Sequence, residues 1–308
     1  MQKKLISTHM KILMLILLLL SITFYVSGCI TLVQSGYKLS DYADELPLNF
    51  NSLKYDLNFN GFNFDFNTSS ISKDYTVGDN INEVDFNLNS QDVNITNYDG
   101  ESLKVQIKSH STISSDLSES ESGNKLILST RYDTPGNATI SVNIPNKLKD
   151  RGILKIITSS GSINASNISV DTLNLSTASG DINTINSNLN YLNLGNSSGD
   201  IHFKNVTAST ETKFSSSSGD IIGDGTLGTV TGNTTSGDID LQLINSLNNV
   251  ALSTKSGSVT LLLPKNKGYK INYETVSGNL NSPKNQLSYG DESSLIDINT
   301  VSGDLNVR

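Results

Sequence analysis

Ser179-Gly180-Asp181-Ile182 returns as Ser198-Gly199-Asp200-Ile201, Ser218-Gly219-Asp220-Ile221 and Ser236-Gly237-Asp238-Ile239. Looser copies stand at Ser160-Gly161-Ser162-Ile163, Ser256-Gly257-Ser258-Val259, Ser277-Gly278-Asn279-Leu280 and Ser302-Gly303-Asp304-Leu305. The eight glycines follow one another at gaps of 19, 19, 20, 18, 20, 21 and 25 residues. A nearly fixed period of this length marks a stacked repeat rather than a globular domain.

Aligned on the glycines, the copies show apolar columns seven residues before (Leu154, Leu173, Leu192, Val230, Val250, Ile271, Ile296), five before (Ile156, Leu175, Leu194, Phe214, Leu252, Ile298) and two after. Gly232 is an exception in the second of these columns. Residues two apart share one face of a strand, so these columns form an inward face, and polar residues such as Asn174 and Ser176 between them point to water. A coil of this size cannot bury its own apolar edge, whereas eight coils stacked at about 4.8 Å make a continuous core roughly 40 Å long. The expected fold is therefore all-β, a single-stranded parallel β-helix (β-solenoid) of about 19 to 21 residues per coil, with its regular repeats in residues 151–308. Gly161, Gly180, Gly199, Gly219, Gly237, Gly257, Gly278 and Gly303 are assigned as turn glycines at a tight corner. The following Asp or Asn would hydrogen-bond local backbone amides, and the Ser and Thr before each glycine would line the narrow inside of that corner.

Working outward from the repeats, residues 48–150 show strand-like alternation without the glycine period, first in Leu48, Phe50, Leu57, Phe59, Phe62, Phe64 and Phe66. It continues through Val84, Phe86 and Leu88 to Ile140, Val142 and Ile144, with turn clusters at residues 97–100 and 122–124. These are read as N-terminal capping strands and irregular first coils, since terminal repeats of a solenoid are atypical. Residues 29–47 lack periodicity and are read as a membrane-proximal tether.

Residues 1–28 read as a lipoprotein signal peptide. Lys3, Lys4 and Lys11 precede an uncharged run from Ile12 to Val26, which has the length of a secretory h-region and falls short of the roughly 20 residues of a spanning helix. Val26-Ser27-Gly28-Cys29 resembles the lipobox of bacterial lipoproteins, in which cleavage before the cysteine leaves its thiol to carry a diacylglycerol. Cys29 is the one cysteine of the chain, so no internal disulfide can form. The expected location is extracytoplasmic, lipid-anchored through Cys29 to the bacterial cell membrane or envelope. Loss of the three leader lysines moves the net charge from −8 to −11. That balance argues against nucleic acid and leaves cationic partners or simple solubility.

The strands around Asn97 to Ile107, Gly123 to Leu128 and Ile140 to Pro145, followed by the Ser-Gly-Asp-Ile repeats, resemble the bacterial putative-adhesin family of β-strand-repeat proteins over roughly residues 80–308. That resemblance implies an envelope-associated, adhesin-like module without established catalytic residues. It also brings a link, in some members, to envelope stress or antimicrobial-peptide responses.

Little in the sequence points to chemistry. His110 and His202 have no neighbours at metal-ligand spacing, and no phosphate loop, nucleophile elbow or zinc pattern occurs. The repeat region holds only Arg151 and Arg308 as arginines, which weighs against a glycan-cleaving β-helix enzyme. Asp181, Asp200, Asp220 and Asp238, stacked one per coil, are weak candidates for a shared Ca²⁺ site, and turn-tying is the competing role. No cofactor is expected. The function read from the sequence is non-catalytic binding or envelope sensing at the cell surface, with an envelope protein, a glycan or a cationic peptide as partner. A loop over residues 281–292, containing Pro283 and Gly290, is expected to cover the last edge, with Leu305 to Arg308 as the end of the stack; the alternative is that an open edge at Leu305 to Arg308 serves self-assembly.

Overall fold

The computed structural model describes residues 69–308, apart from residues 284–285, together with Phe24. The signal peptide, Cys29, the tether and the Leu48 to Phe66 alternation therefore lie outside the described residues. The chain divides into two units, Met1–Asp65 and Phe66–Arg308, and every strand described below belongs to the second.

That unit is an all-β, solenoid-like stack in which 22 strands join in one sheet. Its first strands are β1 (Ser69–Tyr75), β2 (Glu83–Asn87), β3 (Asp92–Asn97), β4 (Leu103–Ser109), β5 (Ser118–Ser122), β6 (Lys125–Ser129) and β7 (Thr139–Ile144). The repeats begin with β8 (Ile153–Thr158), β9 (Ile163–Ser166), β10 (Thr172–Thr177), β11 (Ile182–Ile185), β12 (Asn188–Asn196) and β13 (Ile201–Ser215). They continue with β14 (Ile221–Ser236), β15 (Ile239–Leu243), β16 (Val250–Ser256), β17 (Val259–Leu262), β18 (Tyr269–Glu274) and β19 (Leu280–Asn281). The chain ends with β20 (Ser288–Tyr289), β21 (Ser294–Ser302) and β22 (Leu305–Val307).

Strands before each corner glycine stack in parallel as one face, and strands after it stack as a second. Leu173 lies in register with Leu154 on one side and Leu192 on the other, and Ile182 lies between Ile163 and Ile201. A short third side closes the central coils, where Asn188 pairs Thr207 and Thr207 pairs Thr226. The corner leading into it carries Asn167, Asn186 and Asn205 in the left-handed region (φ 55°, 51° and 52°), a conformation that asparagine tolerates better than most residues. The expected inward columns are buried from Leu154 to Val250, and Gly232 is explained by its neighbour. A Cβ there would lie 1.8 Å from the ring of Phe214, so one large side chain fills the place of two.

The order of coils departs from the sequence at both ends. β21 pairs β16 on one edge and β18 on the other, and β22 lies between β17 and β19. The last coil of the chain is thus inserted between the two that precede it. Leu305 to Arg308 are not the end of the stack as expected; β18 and β19 are. The five extra residues of the final repeat bring the chain back from the outermost coil. Within them Ser288–Tyr289 pairs antiparallel with β18 at Lys270 and Tyr269, so the covering role expected for residues 281–292 is partly filled.

The same threading occurs at the other end. β2 lies between β6 and β8, and β3 between β7 and β9, so the first coil of the chain is the second in space. Beyond it, β4 pairs antiparallel with β7, β1 with β4, and β5 with β6, which covers the outermost coil on both faces.

Candidate functional site

The corner glycines form a ladder whose cause is room rather than backbone angle alone. A Cβ on Gly180 would lie 2.2 Å from the carbonyl oxygen of Gly161, one on Gly219 2.0 Å from that of Gly199, and one on Gly303 1.8 Å from that of Gly257. Gly278, outermost in space, meets the carbonyl of Gly303 at 2.0 Å. Gly199, Gly219, Gly237, Gly257 and Gly303 also adopt φ between 143° and 158°, a region that favours glycine, whereas Gly161, Gly180 and Gly278 are not among the glycines with positive φ, so the expected turn angle applies at five of the eight corners and lack of room at all of them. Each corner sits so close to the one before it that no side chain fits.

At the first coil Gln91 occupies the glycine position, and the carbonyl that would meet a Cβ on Gly161 is its own. The corner beyond it, through Arg131 to Ala138, is wider. The buried Gln91 side chain fills that space, donating to Pro135 O and accepting from Asn89 N, each at 3.1 Å. Ser90-Gln91-Asp92-Val93 is thus a ninth, disguised copy of the motif.

The aspartates do not tie their own turns, as the sequence reading had it; they tie the next coil. Asp200 N donates to Asp181 Oδ1 (2.9 Å), Asp220 N to Asp200 Oδ1 (2.9 Å), Asp238 N to Asp220 Oδ1 (2.8 Å) and Ser258 N to Asp238 Oδ1 (2.7 Å). The ladder runs on from Asp92 through Ser162 to Asp181 at one end, and from Ser258 through Asp304 to Asn279 at the other. Any short side chain with an acceptor oxygen can occupy this column, which accounts for Ser162, Ser258 and Asn279. Asp181, Asp200, Asp220 and Asp238 each spend one oxygen on a backbone amide. Among the described residues, no group of three or more His, Cys, Asp or Glu side chains is arranged to hold a metal ion. Beneath the glycines the buried Thr column closes the corner: Thr177 Oγ1 donates to Gly161 O (3.0 Å) and accepts from Gly180 N (3.1 Å).

Outside the corners, amide side chains continue the stacking. Asn193 Nδ2 donates to Asn174 Oδ1 at 2.6 Å, Asn183 to Asn164 at 3.0 Å and Asn205 to Asn186 at 2.9 Å. His202 lies in an outward column between Asn183 and Ile222, and His110 is an exposed residue beside the end of β4. Arg151 is engaged locally, its Nε donating to Lys147 O at 2.6 Å.

The outer surface of the strands before the glycines holds a shallow depression of about 390 Å³. One row across it reads Lys155, Asn174, Asn193, Lys213, with each residue opposite the next, and the row beside it reads Ile157, Ser176, Gly195, Ser215. Lys213 pairs with Glu211 at 2.8 Å, and Lys155 stands opposite Asp85. Burial, then the adjacent Glu83, holds the Asp85 carboxyl above the usual carboxylate range, even though Lys125 Nζ lies 3.7 Å away. Lys125 itself bonds Glu83 at 2.6 Å.

Gly195 is the residue that sequence reasoning passed over. Among the described glycines it alone has neither a positive φ nor an obstructed Cβ position: the nearest atom to a Cβ would be Ser176 Oγ, at 3.5 Å. Its signal was available, a glycine at an outward strand position four residues before Gly199.

Residues 81–308 match the Toastrack DUF4097 family. Among solved structures, the chain is similar to a putative adhesin from Bacteroides fragilis NCTC 9343 at 15% identity, over 78% of this chain and 97% of that one, with a TM-score of 0.48. It is also similar to a putative adhesin from Parabacteroides merdae ATCC 43184 (11% identity, 78% and 96% covered, TM-score 0.42). A third is a putative cell adhesion protein from Clostridium sporogenes ATCC 15579 (17% identity, 78% and 99% covered, TM-score 0.27). Among curated proteins none matches the sequence.

Proposed function

Since the chain belongs to the Toastrack DUF4097 family, we propose that it is a non-catalytic, adhesin-like binding module held at the bacterial cell surface as a lipoprotein. The fold is read as a single-stranded parallel β-helix of 19 to 21 residues per coil with both end coils threaded out of order. The observation that carries the binding reading is the outer surface of the stack. It is a repeating lattice of amide and hydroxyl groups, in which the acidic column and many asparagines are spent on holding neighbouring coils together. A surface of this kind offers many weak, identical contacts, and such contacts gain strength by multivalency.

Cys29 is the proposed lipid attachment point, with residues 29–47 as the tether and residues 1–28 as the removed leader. Palmitate fed to cells should label the protein and should not label Cys29→Ala. The binding reading is tested by comparing adherence of cells that carry the protein with that of cells lacking it, on surfaces coated with envelope proteins, glycans or cationic peptides. Equal adherence on every surface would refute it. Capture of cationic peptides is the second reading, favoured by the net charge of −8, and it should weaken steeply with salt.

A further inference from the structure

The geometry points to a binding site for a neutral, β-1,4-linked glycan on the face built by β8, β10, β12 and the second half of β13, with the sugar chain lying along the stack. This deepens the binding reading above and rests on it. Three observations carry it.

The first is Gly195. Glycine weakens a strand interior, and the other described glycines have a reason in φ or in packing; this one lines the 390 Å³ depression although a Cβ would fit there at ordinary contact distance. A glycine that the fold does not require, at an outward strand position, suits the close approach of a ligand.

The second is periodicity. Each coil presents one amide or lysine head to the depression, and the coils of β10, β12 and β13 add one small residue each, repeated at the strand spacing of about 4.8 Å. In a β-1,4-linked chain successive sugars are turned by about half a turn, so its repeat is the disaccharide at about twice that spacing, and alternate sugars meet equivalent groups on alternate coils over the roughly 14 Å from Lys155 to Lys213. An extended peptide would instead seek an unpaired strand edge, and these central strands are paired on both sides.

The third is charge. Lys213 is matched by Glu211 and Lys155 faces Asp85, so the depression offers donors and acceptors without a net field, which suits hydroxyls rather than carboxylates or phosphates. Ile157, 37% exposed, supplies apolar surface in the lining for the face of a sugar ring.

The test is calorimetric titration of the full chain with cellohexaose and chitohexaose, with a galacturonic acid oligomer in parallel. The neutral oligomers should bind with little change between low and high salt. Gly195→Leu, which fills the depression, and Asn193→Ala, which removes its central amide, should each weaken binding by roughly tenfold or more. Melting of both variants is followed so that loss of fold is not mistaken for loss of binding; should Gly195→Leu melt early, Ser176→Leu fills the same space. Absence of binding to neutral oligomers, preference for the acidic oligomer with steep salt dependence, or full binding by a folded, filled variant would each overturn the proposal. If neutral oligomers fail while cells carrying the protein still adhere better than cells without it, the glycan site falls and the adhesin-like reading stands. If adherence does not depend on the protein but the oligomers bind at Gly195, the reverse holds.

Discussion

Replacing Gly180 and Gly195 by alanine, one at a time, should have opposite effects although the two residues lie on adjacent coils. At Gly180 the new Cβ would sit 2.2 Å from the carbonyl oxygen and 2.4 Å from the carbonyl carbon of Gly161. Both are backbone atoms of a neighbouring coil, so no side chain can swing aside. The corner must open by about 1 Å, an overpacking change that costs about 1–3 kcal/mol. That movement also stretches the two hydrogen bonds of Thr177, to Gly161 O at 3.0 Å and from Gly180 N at 3.1 Å, at about 1 kcal/mol each. The sum is roughly 3–5 kcal/mol, or a fall in Tm of about 10–15 °C for a domain of this size.

At Gly195 the new Cβ meets Ser176 Oγ at 3.5 Å, an ordinary contact, and the backbone angle suits any residue. Alanine there restricts the unfolded chain more than the folded one and should stabilise by about 0.4–1 kcal/mol. Urea unfolding of the two variants and the parent, followed by far-ultraviolet circular dichroism, compares them directly. If Gly180→Ala unfolds at the same urea concentration as Gly195→Ala, the corner glycines are not there for lack of space and the ladder explanation is wrong.

The remaining predictions concern the acidic column, pH and the C-terminal coil. Asp220→Asn keeps an acceptor oxygen for Asp238 N and should be nearly neutral, whereas Asp220→Ala should cost about 1 kcal/mol in urea unfolding; equal losses would mean that the charge, not the hydrogen bond, matters. Asp85 has its pKa raised by burial, so the folded state holds its proton more tightly than the unfolded one. Stability from this group is therefore greatest when it is protonated and falls as pH rises from the unfolded value of about 3.9 through the raised folded value. Asp85→Asn should remove that dependence and raise the melting temperature near neutral pH relative to the parent, and a lower one would contradict the burial cost. Deleting residues 294–308 removes the buried side chains of Ile296, Ile298, Leu305 and Val307 and the strand that β18 pairs along its length, so β18 should lose most of its amide exchange protection while β8 to β15 retain theirs. Continued protection throughout β18 would show that it re-docks on β16.

How much of this was legible in the sequence depends on whether a feature repeats. The stacking of Leu154, Leu173 and Leu192 could be read because the same chemistry recurs at a fixed distance and each coil contacts its neighbour at equivalent positions. The partner of the Asp181 carboxylate could not, since hydrogen bonding to the residue's own turn and to the next coil place the same residue type in the same column. Gln91 was hidden because the motif was recognised by its glycine, and here a wider neighbouring corner removes the need for one. The order of the last two coils is invisible for a related reason. Ser277-Gly278-Asn279-Leu280 and Ser302-Gly303-Asp304-Leu305 present the same corner, the same ladder position and the same apolar residue, so either could lie against Gly257. Only the 25-residue final gap distinguishes them, and a longer connection is equally compatible with a loop.

That ambiguity bears on why the ends are threaded as they are. A solenoid closed by its own chain termini would expose, at each end, a strand free to fray and an unpaired edge open to other chains. Here β22 is held by β17 on one side and β19 on the other, and β2 by β6 and β8. The outermost coils are instead internal segments, joined to the stack at both of their ends, so opening one requires movement of two connections rather than one. The N-terminal coil is further covered by β1, β4 and β5, whereas β18 is paired only at Tyr269 and Lys270 with β20, and Val276 beyond it is 84% exposed. The arrangement raises the sequence separation of contacts such as Val250 with Ile296, which slows folding. In return it leaves neither β2 nor β22 at an edge of the stack, an exchange that suits a repeating surface whose spacing must be kept along its whole length.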